Sequence, residues 1–476
     1  MDSTKKRWMH LTIMLALTVI ICMCPTIGSI TPFGMKVTGV FVGVLYGWIF
    51  IDLIWPSIFG FLGLGIIGVN TVNGALATGF GNQQLLMILI TMVFAGALEE
   101  AGFSEFLSTW LLKKKAFRKN PWMLVLGILV IAYILGMFGA TMAAVFLLWS
   151  IIGRIAKICN LKEKDPLICF LVSSIAIASF GGSLIFPFHG GALIYEGFFT
   201  QATGVSIPYI PFIIFGAVTT ILMCVLIFLT GKYILRLDAS QFILPEEIIT
   251  ELEAKEVTKK QKWSFFFLII FMTALLLPEL APFLPGVGFL KTLGLVGISI
   301  IVLLIMNTIT FDGEPMINLT RVFVKHTQWP LLLLLAVTFP LADALKSQEA
   351  GIMVTVSQTL IPIVSDMGVV PFMICSVILL GIATQFTHNI VLGAMFIPFL
   401  CPLCEQLGGN MVTLWFMIYL TLNAAYVTPA ASMQSAMVHG NELMDKKYAY
   451  LNGIIYLTIN ILVLSIVGIP LGNILF

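Results

Sequence analysis

A short polar stretch, Thr384 to Asn389, stands between two apolar runs and carries the side chains best suited to bind a small ion. The flanking runs, Pro371 to Ile382 and Val391 to Leu400, are each about half a bilayer crossing long. Backbone N–H and C=O groups find no partner in lipid, so such a stretch is tolerated only where it turns inside protein or lines a watery cavity. The pattern predicts a re-entrant hairpin whose tip lies at a binding site.

The second half of the chain repeats the order of features in the first half. The stretch Phe138 to Thr141 interrupts an apolar segment as Thr387 to Ile390 does later in the chain. Two further interruptions, at Ile185 to Gly190 and at Tyr426 to Ser432, also correspond to each other. Two halves of nearly equal length with paired interruptions are the expected mark of an internal structural repeat.

The composition places these elements in a membrane. The chain is 59% hydrophobic and only 10% charged, whereas a soluble domain carries about 25% charged residues. The apolar runs are continuous rather than alternating, which favours helices over a barrel. The net charge of +2 gives no indication of nucleic acid binding. The sequence shows no catalytic triad, phosphate-binding loop or zinc spacing, so we expect neither an enzyme nor a bound cofactor.

The distribution of positive charge predicts that the two repeats are inverted. The entrance to the first hairpin carries Lys and Arg between Lys113 and Lys119, whereas the corresponding stretch from Pro362 to Val370 carries none. By the positive-inside rule, the first hairpin opens from the cytoplasm and the second from the outside. The loop from Glu196 to Pro211 also lacks Lys and Arg and is predicted to be extracytoplasmic. We therefore expect a cytoplasmic N-terminus and an extracytoplasmic C-terminus.

These patterns predict an all-α integral membrane protein with two inverted repeats. About 11 transmembrane helices accompany two re-entrant hairpins and two discontinuous helices. The predicted segments are an N-terminal span and turn (1–34), repeat 1 (35–235, with hairpin 121–158 and broken helix 166–200), a cytoplasmic linker (236–262) and repeat 2 (263–476, with hairpin 371–406 and broken helix 411–442).

The second tip carries a resemblance to a known family. Thr384, Thr387 and Asn389 fit the second hairpin tip of the divalent anion/sodium symporters, which include dicarboxylate, citrate and sulfate carriers of the ion-transporter superfamily. Asn389 takes the asparagine position of their Ser-Asn-Thr motif. At the first tip Thr141 keeps the threonine, whereas Gly139 and Ala140 replace serine and asparagine.

The resemblance implies an elevator-type carrier, a homodimer in the plasma membrane, with sodium as the coupling ion. In that family the tips and the unwound loops enclose the cations and the substrate. A sodium site is expected at Thr384, Thr387 and Asn389. The residues expected around cations are Thr384, Thr387, Asn389, Ala431, Gly181, Gly182 and Ser183. Those expected to contact the anion are Gly139, Ala140, Thr141, His388, Asn389, Ile390, Ser432 and His189.

Several of these residues also have a plain structural interpretation. His189 and His388 could bind the anion or carry a coupling proton, and they could equally satisfy backbone groups at the breaks. Gly181 and Gly182 are as compatible with close packing as with a ligand. The acidic pair Glu99 and Glu100 lies at the end of a predicted span, where a solvated role is expected.

The function indicated is cation-coupled symport of a small anion, with a di- or tricarboxylate expected from the resemblance. The alternatives are a proton-coupled carrier, another antiporter or exporter of the superfamily, and a membrane enzyme or sensor without transport. The partners expected are the anion, the lipid bilayer and a second copy of the chain, with no nucleic acid.

Overall fold

The structure, a computed structural model, describes residues 3–112, 120–188, 190–245, 247–248, 250, 257–311 and 313–476. Helices α1 to α11 are Ser3–Met23, Pro32–Phe50, Ile54–Ile66, Val72–Phe80, Gln83–Glu100, Phe103–Leu112, Pro121–Met137, Thr141–Ile158, Pro166–Ser183, Gly190–Thr203 and Tyr209–Leu229. Helices α12 to α22 are Lys259–Leu280, Val287–Thr308, Leu319–His326, Trp329–Lys346, Ile352–Ser365, Val369–Ala383, Asn389–Gln406, Met411–Leu422, Met433–His439, Lys446–Val463 and Ile469–Leu475.

The fold is helical, as predicted. Short π-helical turns, Thr230–Ile234 and Leu464–Gly468, extend α11 and precede α22. Within the described residues, the strands are limited to the antiparallel pair β1 (Thr310–Phe311) and β2 (Glu314–Pro315). The protein is therefore an all-α integral membrane protein.

Eleven helices in the described part of the chain are long and apolar enough to cross a membrane. They include α8 and α18, which the sequence indicated as half-length hairpin arms. Helix α18 contains 18 residues because it continues through Pro398 and Pro402 to Gln406. At 1.5 Å per residue it is about 27 Å long, close to the roughly 30 Å of a hydrocarbon core. Helix α18 is thus longer than its apolar run alone suggested, and by its length it could cross the membrane.

Polar caps and prolines fix where the helices around the interruptions begin. The Asn120 side chain accepts a hydrogen bond from the Met123 amide at 2.7 Å, and Pro121 is the first residue of α7. Asp165 caps α9 in the same way before Pro166. These side chains satisfy amides that would otherwise lack a partner at a helix start, and proline fits there because its position needs no donor.

Helicity is interrupted near each of the four places that the sequence indicated: residues 138–140, 184–188, 384–388 and 423–432. The first interruption separates α7 from α8, and the second follows α9. The third separates α17 from α18, and the fourth separates α19 from α20. For brevity, residues 138–141 are called the first tip, residues 384–390 the second tip and residues 423–432 the second break.

Close backbone contact joins α7 to α9 next to the first interruption. A Cβ atom added at Gly136 would lie 1.7 Å from the Ser179 carbonyl oxygen. One added at Gly182 would lie 2.1 Å from the Tyr133 carbonyl oxygen. Small residues allow helices in a membrane to approach this closely, and dispersion contacts then stabilise the pair.

Helix α10 links the first half of the chain to the second by packing against α18 and α19. The Trp415 indole of α19 donates a hydrogen bond to the Tyr195 carbonyl of α10 at 3.0 Å. A Cβ added at Gly393 of α18 would lie 2.4 Å from the Tyr195 ring, so this glycine makes room for the ring. The segments beside the interruptions of both halves therefore pack into one cluster.

The polar stretch from Asn70 to Gln84, which the sequence predicts as a loop, and the predicted loop from Glu196 to Pro211 both contain helix. Helix α4 (Val72–Phe80) lies in the polar stretch before α5 and begins where Thr71 accepts a hydrogen bond from the Gly74 amide. Helix α10 continues to Thr203, so Glu196 lies in a helix rather than in an extracytoplasmic loop. Glu196 is only 7% exposed, because its apolar neighbours on α10 are buried both before and after it in the helix. The predicted linker also ends early, since α12 starts at Lys259 after a Thr258–Gln261 capping box.

We expect Gly136→Ala and Gly182→Ala to lower the apparent Tm of the protein in detergent. The added methyl group would overlap a backbone carbonyl oxygen that cannot move alone, and such overpacking costs about 1–3 kcal/mol. Gly288→Ala in α13 is the matched control, because a Cβ there meets nothing within 4 Å. An unchanged Tm in both test variants would contradict the close α7–α9 contact.

Candidate functional site

The second tip is fastened to the second break by hydrogen bonds. The Thr384 hydroxyl donates to the Leu422 carbonyl at 3.1 Å, and Thr384 is fully buried. Gln385 is 3% exposed and its amide nitrogen donates to the Ala424 carbonyl at 3.2 Å. The amide oxygen of Gln385 accepts from the Val427 amide at 2.9 Å. The tip and the break therefore form one hydrogen-bonded unit.

The remaining residues of the second tip stand further from this joint. Thr387 and Asn389 are half-buried, and His388 is exposed. Asn389 is the first residue of α18, and its side-chain oxygen accepts from the Ile390 amide at 3.0 Å. Ile390 is half-buried and packs against the core. The tip thus offers neutral oxygen atoms, which suit a hard cation such as sodium.

The predicted site residues of the second break are held by local bonds. The Ser432 hydroxyl accepts from the Ser435 amide at 3.0 Å and donates to the Ala425 carbonyl at 2.7 Å. Ser432 therefore caps α20, a structural role that the sequence did not indicate beside the expected contact with the anion. Ala431 is buried, and its amide donates to the Thr428 carbonyl at 3.1 Å.

The first tip is closed by main-chain bonds. Gly139 has a φ of +85°, a conformation that favours glycine. Its amide donates to Gly136 at 2.9 Å, and the Ala140 amide donates to Leu135 at 2.9 Å. The carbonyl of Thr141 accepts from the Ser179 hydroxyl at 3.1 Å. Main-chain bonds thus close this turn, and one side-chain bond from Ser179 joins it to α9, whereas the second tip contributes the side chains of both Thr384 and Gln385.

The predicted cation residues near the first tip are mostly engaged in packing. Gly181 and Gly182 are buried in the last turn of α9, and Gly182 lies against the Tyr133 carbonyl. The Ser183 hydroxyl donates to the Phe180 carbonyl of its own helix at 2.7 Å. His189 lies outside the described residues, as do Lys113 to Lys119, whose charges set the predicted orientation.

A small cavity of about 40 Å³ lies beside the first tip and is bounded by α5 and α12. Its lining is mostly aromatic and aliphatic, and includes Phe94, Phe103, Phe138, Phe188 and Phe271. The Phe186 and Phe188 rings stack with their centroids 5.0 Å apart. The two tips therefore differ in chemistry, one being apolar and the other polar.

Of the acidic pair at the end of α5, Glu99 is exposed as the sequence indicated, whereas the Glu100 side chain is buried. The Glu100 side chain is 6% exposed and forms two hydrogen bonds, of 2.8 and 3.1 Å, to the Arg321 guanidinium. Glu99 accepts from the Ser104 hydroxyl. Arg321 lies on α14, a short amphipathic helix that packs against α5. This contact brings distant parts of the sequence together, which no local pattern could indicate.

Gln385 is the residue of the second tip that the sequence reasoning passed over. It lies between the two threonines that the resemblance singled out, and the family motif gives it no role. The sequence did contain an indication of this role, because a glutamine among apolar residues at membrane depth needs hydrogen-bond partners. The partners lie in residues 424–428, about 40 positions away, and only the fold shows them.

Comparisons with known proteins agree with this architecture. The model of the citrate transporter family matches residues 41–422 of the chain. No sequence match is found among curated proteins. The Alcanivorax borkumensis YdaH transporter structure aligns with a TM-score of 0.57 and 15% identity, covering 98% of this chain and 97% of that one. Neisseria gonorrhoeae MtrF, described as illuminating a class of antimetabolite efflux pumps, aligns with a TM-score of 0.54 and 12% identity, covering 97% and 94%. At these identities the structures support the fold alone.

We expect Thr384→Val to lower the apparent Tm measured without sodium or anion. The variant keeps the volume of the side chain but leaves the Leu422 carbonyl without the hydroxyl donor, a loss of about 1–3 kcal/mol for a buried group. Thr458→Val is the control, because the Thr458 hydroxyl donates within its own helix on an exposed face. Equal Tm values for the two variants would contradict a structural role of the tip hydroxyl.

Proposed function

The chain belongs to the citrate transporter family, and we propose that it carries a small carboxylate anion together with a coupling cation, expected to be sodium. Membership of this family shows that the protein is a secondary transporter of anions in a membrane, and not an enzyme. The coupling ion, the anion and the elevator mechanism belong to the proposal.

The observation that carries the proposal is the hydrogen-bonded unit of the second tip and the second break. Neither residues 384–390 nor residues 423–432 contain a lysine or an arginine. An anion buried there without a countercharge would be strongly unfavourable. A sodium ion held by Thr384, Thr387, Asn389 and nearby carbonyl oxygens would supply that charge. Binding of the cation and of the anion would then favour each other reciprocally.

The packing of α10, α18 and α19 supports an elevator-like motion. These helices flank interruptions from both halves of the chain and share the Tyr195, Gly393 and Trp415 contacts. A cluster packed this closely is suited to move as one body. The scaffold would then be provided by helices such as α5 and α12, which face the first tip across the aromatic cavity. A homodimer, as the resemblance implies, would hold that scaffold in place.

A proton-coupled or exporting carrier is the second candidate, and one observation favours it. Glu196 is a buried carboxyl group in α10, and an ionisable residue at such a position commonly carries protons in transporters. The MtrF structure, which shares the fold, is described as that of an efflux pump.

We expect the purified protein to be stabilised by one anion only when sodium is present. A ligand that binds the folded state alone raises apparent stability as its site fills, by about 2.7 kcal/mol at 100 times its Kd. Thermal unfolding should be followed against citrate, succinate, malate and sulfate, each with sodium or with potassium at matched pH. Shifts that follow pH and ignore the cation would instead support the proton-coupled candidate.

We expect Asn389→Ala to abolish sodium stimulation of anion uptake into proteoliposomes. The change removes the side-chain oxygen at the start of α18 while leaving the backbone able to form the helix. Asn318→Ala is the control, because the Asn318 side chain likewise accepts a backbone hydrogen bond at a helix start but lies before α14, away from the second tip in the sequence. Unchanged sodium dependence in Asn389→Ala would remove Asn389 from the cation site.

A further inference from the structure

Gln385 forms the densest polar junction of the second tip. Its amide nitrogen donates to the Gly381 carbonyl at 2.8 Å and to the Ala424 carbonyl at 3.2 Å. Its amide oxygen accepts from the Val427 amide at 2.9 Å. Its own carbonyl accepts from the Thr428 hydroxyl. One buried residue thus bonds the end of α17 to three residues of the second break, Ala424, Val427 and Thr428.

These bonds satisfy groups that the fold would otherwise leave without partners. Gly381 lies in the last turn of α17, where carbonyl groups have no helical donor. The Gln385 backbone amide bonds to the Ile382 carbonyl rather than to that of Gly381, so the Gln385 side chain takes over the Gly381 carbonyl. Residues 424 and 427 lie in the break, outside any helix. A backbone N–H or C=O group without a hydrogen-bond partner is strongly unfavourable at membrane depth. The bonds of Gln385 therefore favour the conformation of the break in which these groups are paired.

Only a neutral amide can make this set of bonds. A glutamine side chain offers two N–H donors and an acceptor oxygen. Glutamate has the same shape but, when ionised, accepts only, and it would face the carbonyls of Gly381 and Ala424. Methionine has the length but forms no such bonds. The requirement is therefore chemical and not merely one of volume.

We infer that Gln385 is a positioning residue, which transmits cation occupancy at the second tip to the backbone of the second break where the anion binds. This inference rests on the proposed function. The tip carries the candidate sodium ligands, and the break carries Ala431 and Ser432. Because Gln385 bonds both segments, a displacement of the tip changes the energy of the break. Such a bond between two ligand-bearing segments is a physical basis for coupling.

The primary test compares sodium binding alone in the wild-type protein and in Gln385→Glu. Sodium chloride is titrated against choline chloride at constant ionic strength, and thermal stability is recorded. Citrate uptake into proteoliposomes then gives the sodium concentration for half-maximal rate. We expect Gln385→Glu to raise that concentration at least tenfold and to weaken the sodium-dependent stabilisation. Lowering the pH should partly restore sodium activation, because the introduced carboxyl group regains one donor when it is protonated.

Gln201→Glu is the matched control. The Gln201 side chain accepts from the Asn82 amide and donates to Asp343 at the far end of α10, away from both tips. This variant should keep wild-type sodium activation. If Gln385→Glu does not fold, Thr428→Val tests the same junction, since it removes only the hydroxyl that donates to the Gln385 carbonyl. We expect Thr428→Val to raise the sodium concentration for half-maximal uptake about threefold to tenfold, which corresponds to the loss of a single hydrogen bond.

The outcomes separate the inference from the proposed function. A wild-type protein that shows no sodium-dependent stabilisation or uptake would overturn sodium coupling itself. A sodium-dependent wild type whose Gln385→Glu or Thr428→Val variant folds and keeps the same sodium activation would overturn the inference, leaving Gln385 with a purely structural role. A variant that loses stability without a change in sodium activation would likewise leave Gln385 with a purely structural role. A change in sodium activation that pH partly reverses supports the positioning role.

Discussion

Every interruption of a helix at membrane depth in this protein must satisfy its own polar backbone, because the bilayer core offers no water to do so. The two tips solve this problem in different ways. At the first tip, Gly139 adopts a left-handed conformation and main-chain bonds close the turn. At the second tip, the side chains of Thr384 and Gln385 bond to a segment about 40 residues away. Both tips are also bonded to a segment about 40 residues away, the first by the Ser179 hydroxyl and the second by two side chains of its own.

The rest of the packing places these interruptions side by side. Glycines at 136 and 182 let α7 and α9 approach until backbone atoms nearly touch. Tyr195 fills the space that Gly393 leaves, and Trp415 bonds to its carbonyl. The contacts of Tyr195 with Gly393 and Trp415 join the two halves of the chain beside the interruptions, and α15 and α14 join them again by packing against α3, α4 and α5. A polar region enclosed by such contacts is shielded from lipid on several sides, as an ion-binding site in a membrane requires.

Much of the fold could be predicted from the sequence because helices in membranes follow apolar length and composition. The interruptions near residues 138, 186, 388 and 428 were visible as polar or small residues within apolar runs. Helix ends were less visible, since α18 continues through two prolines and α4 is amphipathic and short. Long-range contacts were invisible: nothing near Glu100 points to Arg321, and nothing near Gln385 points to Ala424. The sequence therefore indicated where the helices are interrupted, but not the bonds that join the interrupted segments.

The contrast between the two tips has a consequence for how the chain tolerates variation. The first tip depends on one glycine conformation, on main-chain bonds and on the Ser179 hydroxyl, and its own side chains make none of these bonds. Many substitutions in the aromatic lining would therefore change the shape of the cavity while leaving the turn intact. The second tip depends on the identity of side chains, so few residues can replace Gln385 or Thr384. Natural divergence in what such a protein carries would be expected to accumulate at the first tip, while the second tip stays nearly constant.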